Sequence, residues 1–554
     1  MYQDQPSAPN KLSIWLPLLF AVVLVTGMLL GMRMQSNMPR LVVEQETPGP
    51  EGIGQGQIEE ILRYIEAKYV DEVDKAALTQ EVIDDLLSRL DPHSNYISAE
   101  ALQEVNEQLK GNFDGIGVEF MVLEDTIVVV TPLAGGPSET AGILAGDRIV
   151  EIADSIIAGV NMDSGDIIKM LRGEKGTDVE IGILRGKETT LRNFTVTRDE
   201  IPMNSVDISY MLDNTTGYIK VNRFSATTYE EFMKALEDLV EKQGMKDLIL
   251  DLRHNPGGYL QQATNMLSQL FKEKDQLLVY TEGDAVSRSE YTSTGRNFFD
   301  VEDIVVLIDE GSASASEIVA GAIQDHDRGV IIGRRSFGKG LVQEQYKLRD
   351  GAALRLTVAR YYTPSGRSIQ KPYDDPEAYE HEMYDRYETG ELETAKNMLI
   401  QDSTAYYTDN GRVVYGGGGI MPDIFVPIDT LALHDDYLAL RQYVPQYIFR
   451  YLAEGTDPAA LSEQGLDQFI ADFEIKDSLL DGLMAYAQER GVTLPDEGLS
   501  EPVKNAVRHM LKARIAKQLF EDEGYYKVWN MQDDMVKEAV KAIARSTSLT
   551  ASQQ

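Results

Sequence analysis

The chain has 554 residues, a formal net charge of −38 and no cysteine. Such acidity excludes the basic surface that nucleic-acid binding needs, and the missing thiols exclude disulfides and thiolate catalysis together. Six histidines, at 93, 254, 326, 381, 434 and 509, stand without metal-ligand spacing, so neither a metal nor a cofactor is expected, and the length suffices for three or four domains.

From Leu12 to Met32 run 21 residues without a charge, bracketed by Lys11 and Arg33. As a helix they would span about 31 Å, enough for a bilayer core of about 30 Å. No Ala-x-Ala-like cleavage site follows, so residues 1–33 are expected to be a retained membrane anchor. Residues 34–54, rich in Pro, Gly, Gln and Glu, read as a linker. Helical spacing from Ile58 to Leu87 predicts an N-terminal helical region over 55–110, packing on the next domain or on a second copy of the chain. Leu90-Asp91-Pro92-His93-Ser94 breaks it, and His93 reads as a turn residue.

Residues 111–199 carry Gly115-Ile116-Gly117-Val118-Glu119-Phe120, a strand at Thr126–Thr131, Gly136-Pro137 and Gly146-Asp147 turns, and a helix around Asp166–Gly173. This pattern resembles a PDZ domain. The resemblance implies that the amides of Gly115, Ile116 and Gly117 receive a peptide's terminal carboxylate while the strand from Val118 pairs with that peptide. Ile116, Val118, Ile168 and Leu171 would make the groove apolar, suiting tails that end in hydrophobic residues. Arg172, at the end of the groove helix, is a candidate for linking tail occupancy to the rest of the chain.

A strand–helix alternation occupies 200–427: strands at Gly217–Val221, Leu248–Arg253, Ile304–Ile308 and Val330–Ile332, and helices at Tyr229–Glu241 and Leu260–Leu270. The strand at 248–253 ends in Asn255-Pro256-Gly257-Gly258. After Ile308 come Asp309-Glu310-Gly311 and Ser312-Ala313-Ser314-Ala315-Ser316-Glu317, with helical spacing from Ser316 onward. A serine at such a corner sits beside the free N–H groups and positive dipole end of a helix. Ser336-Phe337-Gly338-Lys339-Gly340-Leu341-Val342-Gln343 follows the next strand.

These motifs closely resemble the carboxyl-terminal processing (tail-specific) serine proteases, over roughly residues 55–427. The resemblance implies an α/β multidomain chain with a crotonase/ClpP-like α/β core. It also implies Ser314 as nucleophile, Lys339, 25 residues later, as general base, and Gln343 as the lysine's support. Ser312 and Ser316 compete on sequence alone, and the family spacing selects Ser314. One oxyanion-hole amide is assigned to Ala315 and the other to Gly257 or Gly258, between which the sequence does not choose. Asp325 matches a supporting acidic position of the family, or it is a structural partner of Arg328. No trypsin-like Gly-x-Ser-Gly-Gly surrounds any serine, so neither His254 nor His326 is expected to act as base.

Between Tyr373 and Asn410 lies an acidic, tyrosine-rich insertion (about 373–410) with no role legible from its residues. Residues 428–554 are expected to form a helical C-terminal domain for packing or self-association. The mechanism expected is acyl transfer by a neutral lysine. Lowering a lysine pKa from about 10.4 to about 7–8 takes about 4 kcal/mol, which burial beside Phe337 and Leu341 can supply. The implied partners are proteins with exposed C-termini, the membrane, and a possible second copy, with the catalytic part in the bacterial periplasm or otherwise outside the inner membrane. Two rivals remain: a catalytically silent, membrane-tethered PDZ scaffold, and a crotonase-like acyl-transfer enzyme.

Overall fold

A computed structural model describes residues 56–551 other than 187 and 455–457. The expected anchor and linker lie outside the described residues, and among these no helix is long and apolar enough to cross a membrane. The chain divides into two compact units, one up to Val82 and the other from Ile83. The helical spacing read across 58–87 is two helices, α1 (Gln57–Lys68) and α2 (Lys75–Ser88). The Asp74 carboxylate restarts the helix by accepting the Ala76 and Ala77 N–H groups at 2.9 and 3.1 Å.

The second unit opens with β1 (Asn95–Ile97) and α3 (Ala99–Lys110). Ser98 caps α3 and Gly111 ends it in the left-handed region. A two-stranded stalk, β2 (Asn112–Gly115) with β9 (Asp199–Pro202), then carries the β-rich domain. That domain holds β3 (Val118–Leu123), β4 (Thr126–Pro132), α4 (Pro137–Ala141), β5 (Arg148–Ile152), β6 (Ser155–Ile156), α5 (Ser164–Leu171), β7 (Asp178–Leu184) and β8 (Arg192–Thr197). Its sheet runs β3-β4-β5-β7-β8, which leaves β3 on the edge. Alternating isoleucines and valines of β4, β5 and β7, with Ile167 and Leu171 of α5, form its core.

The α/β region contributes β10 (Val206–Met211), β11 (Thr216–Val221), α6 (Thr228–Glu237), β12 (Asp247–Asp251), α7 (Leu260–Leu270), β13 (Lys274–Glu282), β14 (Ser289–Thr294), β15 (Ile304–Ile308), α8 (Ala315–Asp325), β16 (Val330–Gly333), β17 (Leu341–Lys347) and β18 (Ala353–Tyr362). The insertion supplies α9 (Pro376–Glu388) and the hairpin β19 (Asp402–Tyr407) and β20 (Val413–Gly416), and β21 (Ile424–Phe425) follows. The main sheet runs β10-β11-β12-β15-β16-β21, parallel from β11 onward. Because side chains alternate along a strand, Leu248, Leu250, Ile304 and Val306 face α6, α7 and α8. Ile249, Val305 and Leu307 face the other way.

That second face explains the end of the chain. The described residues from 428 onward form α10 (Asp435–Arg441), α11 (Val444–Glu454), α12 (Pro458–Glu463), α13 (Leu466–Asp472), α14 (Asp477–Gln488), α15 (Glu501–Asn530) and α16 (Asp534–Ala551). Helices α10 to α15 share a core of their own. Helix α16 instead lays Met535, Val536, Ala539 and Ile543 against Ile249, Val305, Leu307 and Ile332 of the main sheet. Each large side chain so buried stabilises by about 1.5–3 kcal/mol, so the last helix covers the second face of the main sheet. A second sheet, β1-β18-β13-β14 with β17 on β18, brings the segment ahead of the β-rich domain to the α/β region through β1.

Candidate active site

Three neighbouring parallel strands, β12, β15 and β16, end on the same side of the sheet, and their carboxyl-end loops carry Gly257–Gly258, Ser314 and Lys339. Ligand sites gather at such strand ends. Cross-bonds stitch the first two loops together: Ala313 N–H to Asn255 O (3.0 Å), Ser316 Oγ to Asn255 O (2.9 Å), and Ser312 Oγ to Leu252 O (2.8 Å). The hydroxyls of Ser312 and Ser316 are thereby buried and committed. Ser314 is the exception, half-buried, with no hydrogen bond from its hydroxyl to any described residue. Its backbone sits at φ 54°, ψ −112° on the entrance to α8, a conformation that costs a non-glycine residue about 1–3 kcal/mol and persists only when its surroundings impose it.

The imposing groups are identifiable. Ser314 N–H donates to Glu317 Oε2 at 2.8 Å, and the Tyr361 hydroxyl, from β18, lies 3.1 Å from Ser314 O and 2.5 Å from Lys339 O. Gly257, at φ 96°, packs so close that a Cβ there would lie 2.7 Å from Ser314 Cβ and 2.9 Å from Ala315 N. Glycine is required at this position on both counts. The Gly257 N–H donates to Asn255 Oδ1 at 2.9 Å, whereas Gly258 N–H and Ala315 N–H donate to no described residue. Of the two glycines, only Gly258 has an amide committed to no described residue.

Lys339 is half-buried. Burial first, then the Arg355 guanidinium of β18, pushes its ammonium below the ordinary lysine value, against the pull of Glu317 and Asp91. Its amine hydrogen-bonds to no described residue, and no hydrogen bond joins it to Ser314. Such bonds commonly tighten only in the substrate complex. The Gln343 amide is directed elsewhere, 3.5 Å from Thr357 Oγ1, which in turn donates to Asp91. Asp325 closes the opposite end of α8. There it accepts from Arg367 (2.8 Å) and Ser365 N–H (3.0 Å), while Arg328 spends its donors on the carbonyls of Leu270, Val301 and Glu302. Arg367, not Arg328, is therefore the partner of Asp325. His254 Nδ1 lies 2.9 Å from Asp309 and His326 binds Asp409 and Leu277 O; neither bonds to Ser314.

Two groups were not legible as functional. Glu317 is fully buried and accepts from Ser314 N–H, Ser336 Oγ, Gly338 N–H and Lys339 N–H. It joins the serine corner to the lysine loop, and burial raises its carboxyl to about 7. His93, read as a turn residue, donates or accepts at 2.8 Å with Tyr379 of the insertion. Burial first, then the Lys339 charge, pulls it down to about 4.

In the β-rich domain, Gly115, Ile116, Gly117, Val118, Ile168, Leu171 and Arg172 line one cavity of about 180 Å3 together with Phe113 and Phe120. Ile116 and Gly117, between strands, donate their N–H groups to no described residue, and β3 offers its free edge alongside. Gln446 of α11 donates to Val122 O on that strand at 3.2 Å, so the C-terminal helices occupy the far end of the edge. Arg172 pairs with Glu107 of α3 at 2.9 Å and stands 4.6 Å over the Phe113 ring. Helix α3 touches the catalytic region through Leu109 O, which accepts the Ala226 N–H at 2.9 Å.

Comparison with known proteins agrees with this layout. Residues 215–378 match peptidase family S41, 115–197 match the PDZ domain, and 436–522 match a family of unknown function. A carboxy-terminal-processing protease of Bartonella bacilliformis is 37% identical over 314 residues, 56% of this chain and 71% of that one. The carboxy-terminal processing protease CtpB of Bacillus subtilis is 34% identical, covering 58% of this chain and 66% of that one. Among solved structures, a photosystem II D1 C-terminal processing protease is 32% identical, with a TM-score of 0.33, covering 58% of this chain and 88% of that one.

Proposed function

The chain belongs to peptidase family S41, the carboxy-terminal-processing serine proteases, and we propose from that premise that it cuts peptide bonds with Ser314 as nucleophile and Lys339 as proton acceptor. The observation that carries this reading is the difference among three serines on one corner. Only Ser314 has a hydroxyl that donates to no described residue, on strained backbone, and the Ala315 amide beside it and the Gly258 amide of the facing loop are likewise uncommitted. The neutral Lys339 amine takes the Ser314 proton as Oγ attacks the substrate carbonyl, and the two amides receive the oxyanion. The resulting ammonium protonates the leaving amine, and water then attacks the acyl-enzyme with Lys339 again accepting a proton. Burial and the Arg355 charge lower the Lys339 ammonium from its ordinary value, against Glu317 and Asp91, and so favour the neutral amine that this step needs. Gln343 acts on this loop through Thr357 and Asp91 in the resting arrangement. A fluorophosphonate probe tests the assignment. Peptide mapping is expected to place the adduct on Ser314, and an adduct on Ser312, on Ser316 or on no serine overturns it, the last outcome favouring a silent scaffold.

The tail is read by the β-rich domain. The amides of Gly115 to Gly117 suit a terminal carboxylate, Val118 and Phe120 offer strand pairing, and Ile116, Ile168 and Leu171 suit an apolar last residue. Arg172 stands where the groove meets α3, and so is placed to relay occupancy to the catalytic region. Arg172→Ala is expected to lower kcat/KM for a substrate with an apolar C-terminal tail by roughly tenfold, and to leave an internal peptide without that tail unaffected. Equal turnover of the tailed substrate by both proteins removes the relay. The charge-free stretch from Leu12 to Met32 supports tethering to the inner membrane with the catalytic part outside the cytoplasm; release of the full chain from membranes by alkaline carbonate would end that reading.

A further inference from the structure

The insertion has a physical task that its sequence did not disclose. One face of α9 presents Tyr379, Glu382 and Arg386, spaced i, i+3 and i+7, to the back of the loop that carries Lys339. The Arg386 side chain is 2% exposed. It donates to three consecutive carbonyls of that loop, Arg335 O (3.1 Å), Ser336 O (3.0 Å) and Phe337 O (3.5 Å). The opposite, amide side of the same loop is held by Phe337 N–H to Ser312 O (3.0 Å) and by Gly338 and Lys339 N–H to Glu317. The four peptide units from Arg335 to Lys339 are thus held between two grips, one anionic at Glu317 and the other cationic at Arg386.

The cationic grip is itself fixed. Glu382 takes Arg386 Nε at 2.9 Å and Lys371 at 2.8 Å, and Glu391 takes Arg335 at 2.7 and 3.0 Å. Lys371 lies over the rings of Phe337 (4.2 Å) and Tyr379 (3.9 Å). Buried charges with this many partners order what they touch, and loss of one leaves the others unpaired. Tyr379 adds the bond to His93, which is close enough to feel the Lys339 charge. The S41 match ends at residue 378, so Arg386 and Glu391 lie beyond it.

We propose that residues 379–391 form a brace that sets the place of Lys339, with Arg386 as its positioning residue. This rests on Lys339 being the general base. Displacement of a reacting group by about 1 Å is worth roughly 100-fold, and a loosened loop also lets water reach the amine. The groups facing Lys339 are Arg355 of β18, Glu317 of α8, and Asp91 and His93 ahead of β1; none belongs to α9. The brace therefore acts by position and by keeping the amine dry, not by its own field.

The test uses the full chain and a fluorogenic peptide bearing an apolar C-terminal tail. Arg386→Ala is expected to lower kcat by roughly 10- to 100-fold with KM within about twofold, and to displace the acid limb of the kcat/KM–pH profile toward higher pH as Lys339 becomes wetter. Arg386 borders a cavity of about 300 Å3, so added guanidinium ion is expected to restore part of kcat. Arg386→Lys keeps the charge that balances Glu382 and Glu391, and with it the fold, but cannot span three carbonyls, so its kcat should fall between the two. The brace is overturned if the limb stays put, guanidinium does nothing, and activity simply follows the folded fraction. Ser314→Ala and Lys339→Ala run alongside: turnover by either sinks the Ser–Lys reading, whereas their inactivity with normal Arg386 variants sinks the brace alone.

Discussion

Lys339→Ala is expected to lower peptide-bond turnover by roughly 10^3-fold or more while the tail still binds the β-rich domain. The size follows from what the amine must do. An ordinary lysine with a pKa near 10.4 is neutral in only about one molecule in 250 at pH 8, and each unit of lowering multiplies that fraction by about ten. Burial and Arg355 lower it here, and Glu317 and Asp91 oppose them, so the sign of each neighbour can be worked out. The active form is the neutral amine, and kcat/KM therefore rises with pH and levels off above the Lys339 pKa. Arg355→Gln removes a repelling cation, stabilises the ammonium and moves that limb to higher pH. Asp91→Asn removes an attracting anion and moves it to lower pH. Profiles measured on the three proteins that show both limbs unmoved, or Lys339→Ala turning over like wild type, exclude Lys339 as the base.

Much of the layout was legible because it is written in short-range signals. The helix Leu260–Leu270 and the strand Ile304–Ile308 occur with the predicted limits, since apolar period and glycine breaks decide such elements locally. The groove residues from Gly115 to Arg172 line a common cavity because their turns and helix follow one another closely along the chain. What was missed depends on contacts between distant segments. Glu317 stood in the quoted motif, yet a glutamate after a serine run gives no sign that four donors converge on it. His93 becomes more than a turn residue only when Tyr379, 286 positions later, arrives beside it. The tyrosine-rich insertion shows no strong apolar face, because α9 buries charges, Arg386 among them, that are satisfied by Glu382 and Glu391 instead of by burial of hydrocarbon. For the same reason the last helix read as part of a separate domain. Its apolar row at Met535, Val536, Ala539 and Ile543 says that it packs, but only the main sheet's second face says on what.

Glu317→Gln is expected to lower kcat by roughly 100-fold or more, although the side chain touches no substrate. The carboxylate accepts two donors at each oxygen: Ser336 Oγ (2.6 Å) and Gly338 N–H (2.7 Å) at Oε1, Ser314 N–H (2.8 Å) and Lys339 N–H (2.9 Å) at Oε2. An amide offers one oxygen and one NH2 group, so two of the four donors must face a donor. Each buried bond lost this way costs about 1–3 kcal/mol: an amide with its NH2 at the Oε2 place loses the Ser314 and Lys339 N–H groups together, and one with its NH2 at the Oε1 place loses the Gly338 N–H and loosens the lysine loop. Glu317→Asp, shorter by one methylene, cannot reach both ends and should be nearly as slow. The pH dependence separates this link from a general loss of folding. With a folded-state value of about 7 against an ordinary 4.5, the native protein binds the proton more tightly than the unfolded chain. The stability so contributed is complete below about 4.5 and is lost as pH rises through 7, a change of up to about 3 kcal/mol. The ionised form that accepts four donors is thus the less stable but better aligned one. Denaturant melts of wild type and Glu317→Gln at pH 5 and pH 8 should show the variant's deficit narrowing at the higher pH while its activity deficit widens. A stability gap that does not change between the two pH values would mean that Glu317 does not titrate between them and that the link carries no titrating step.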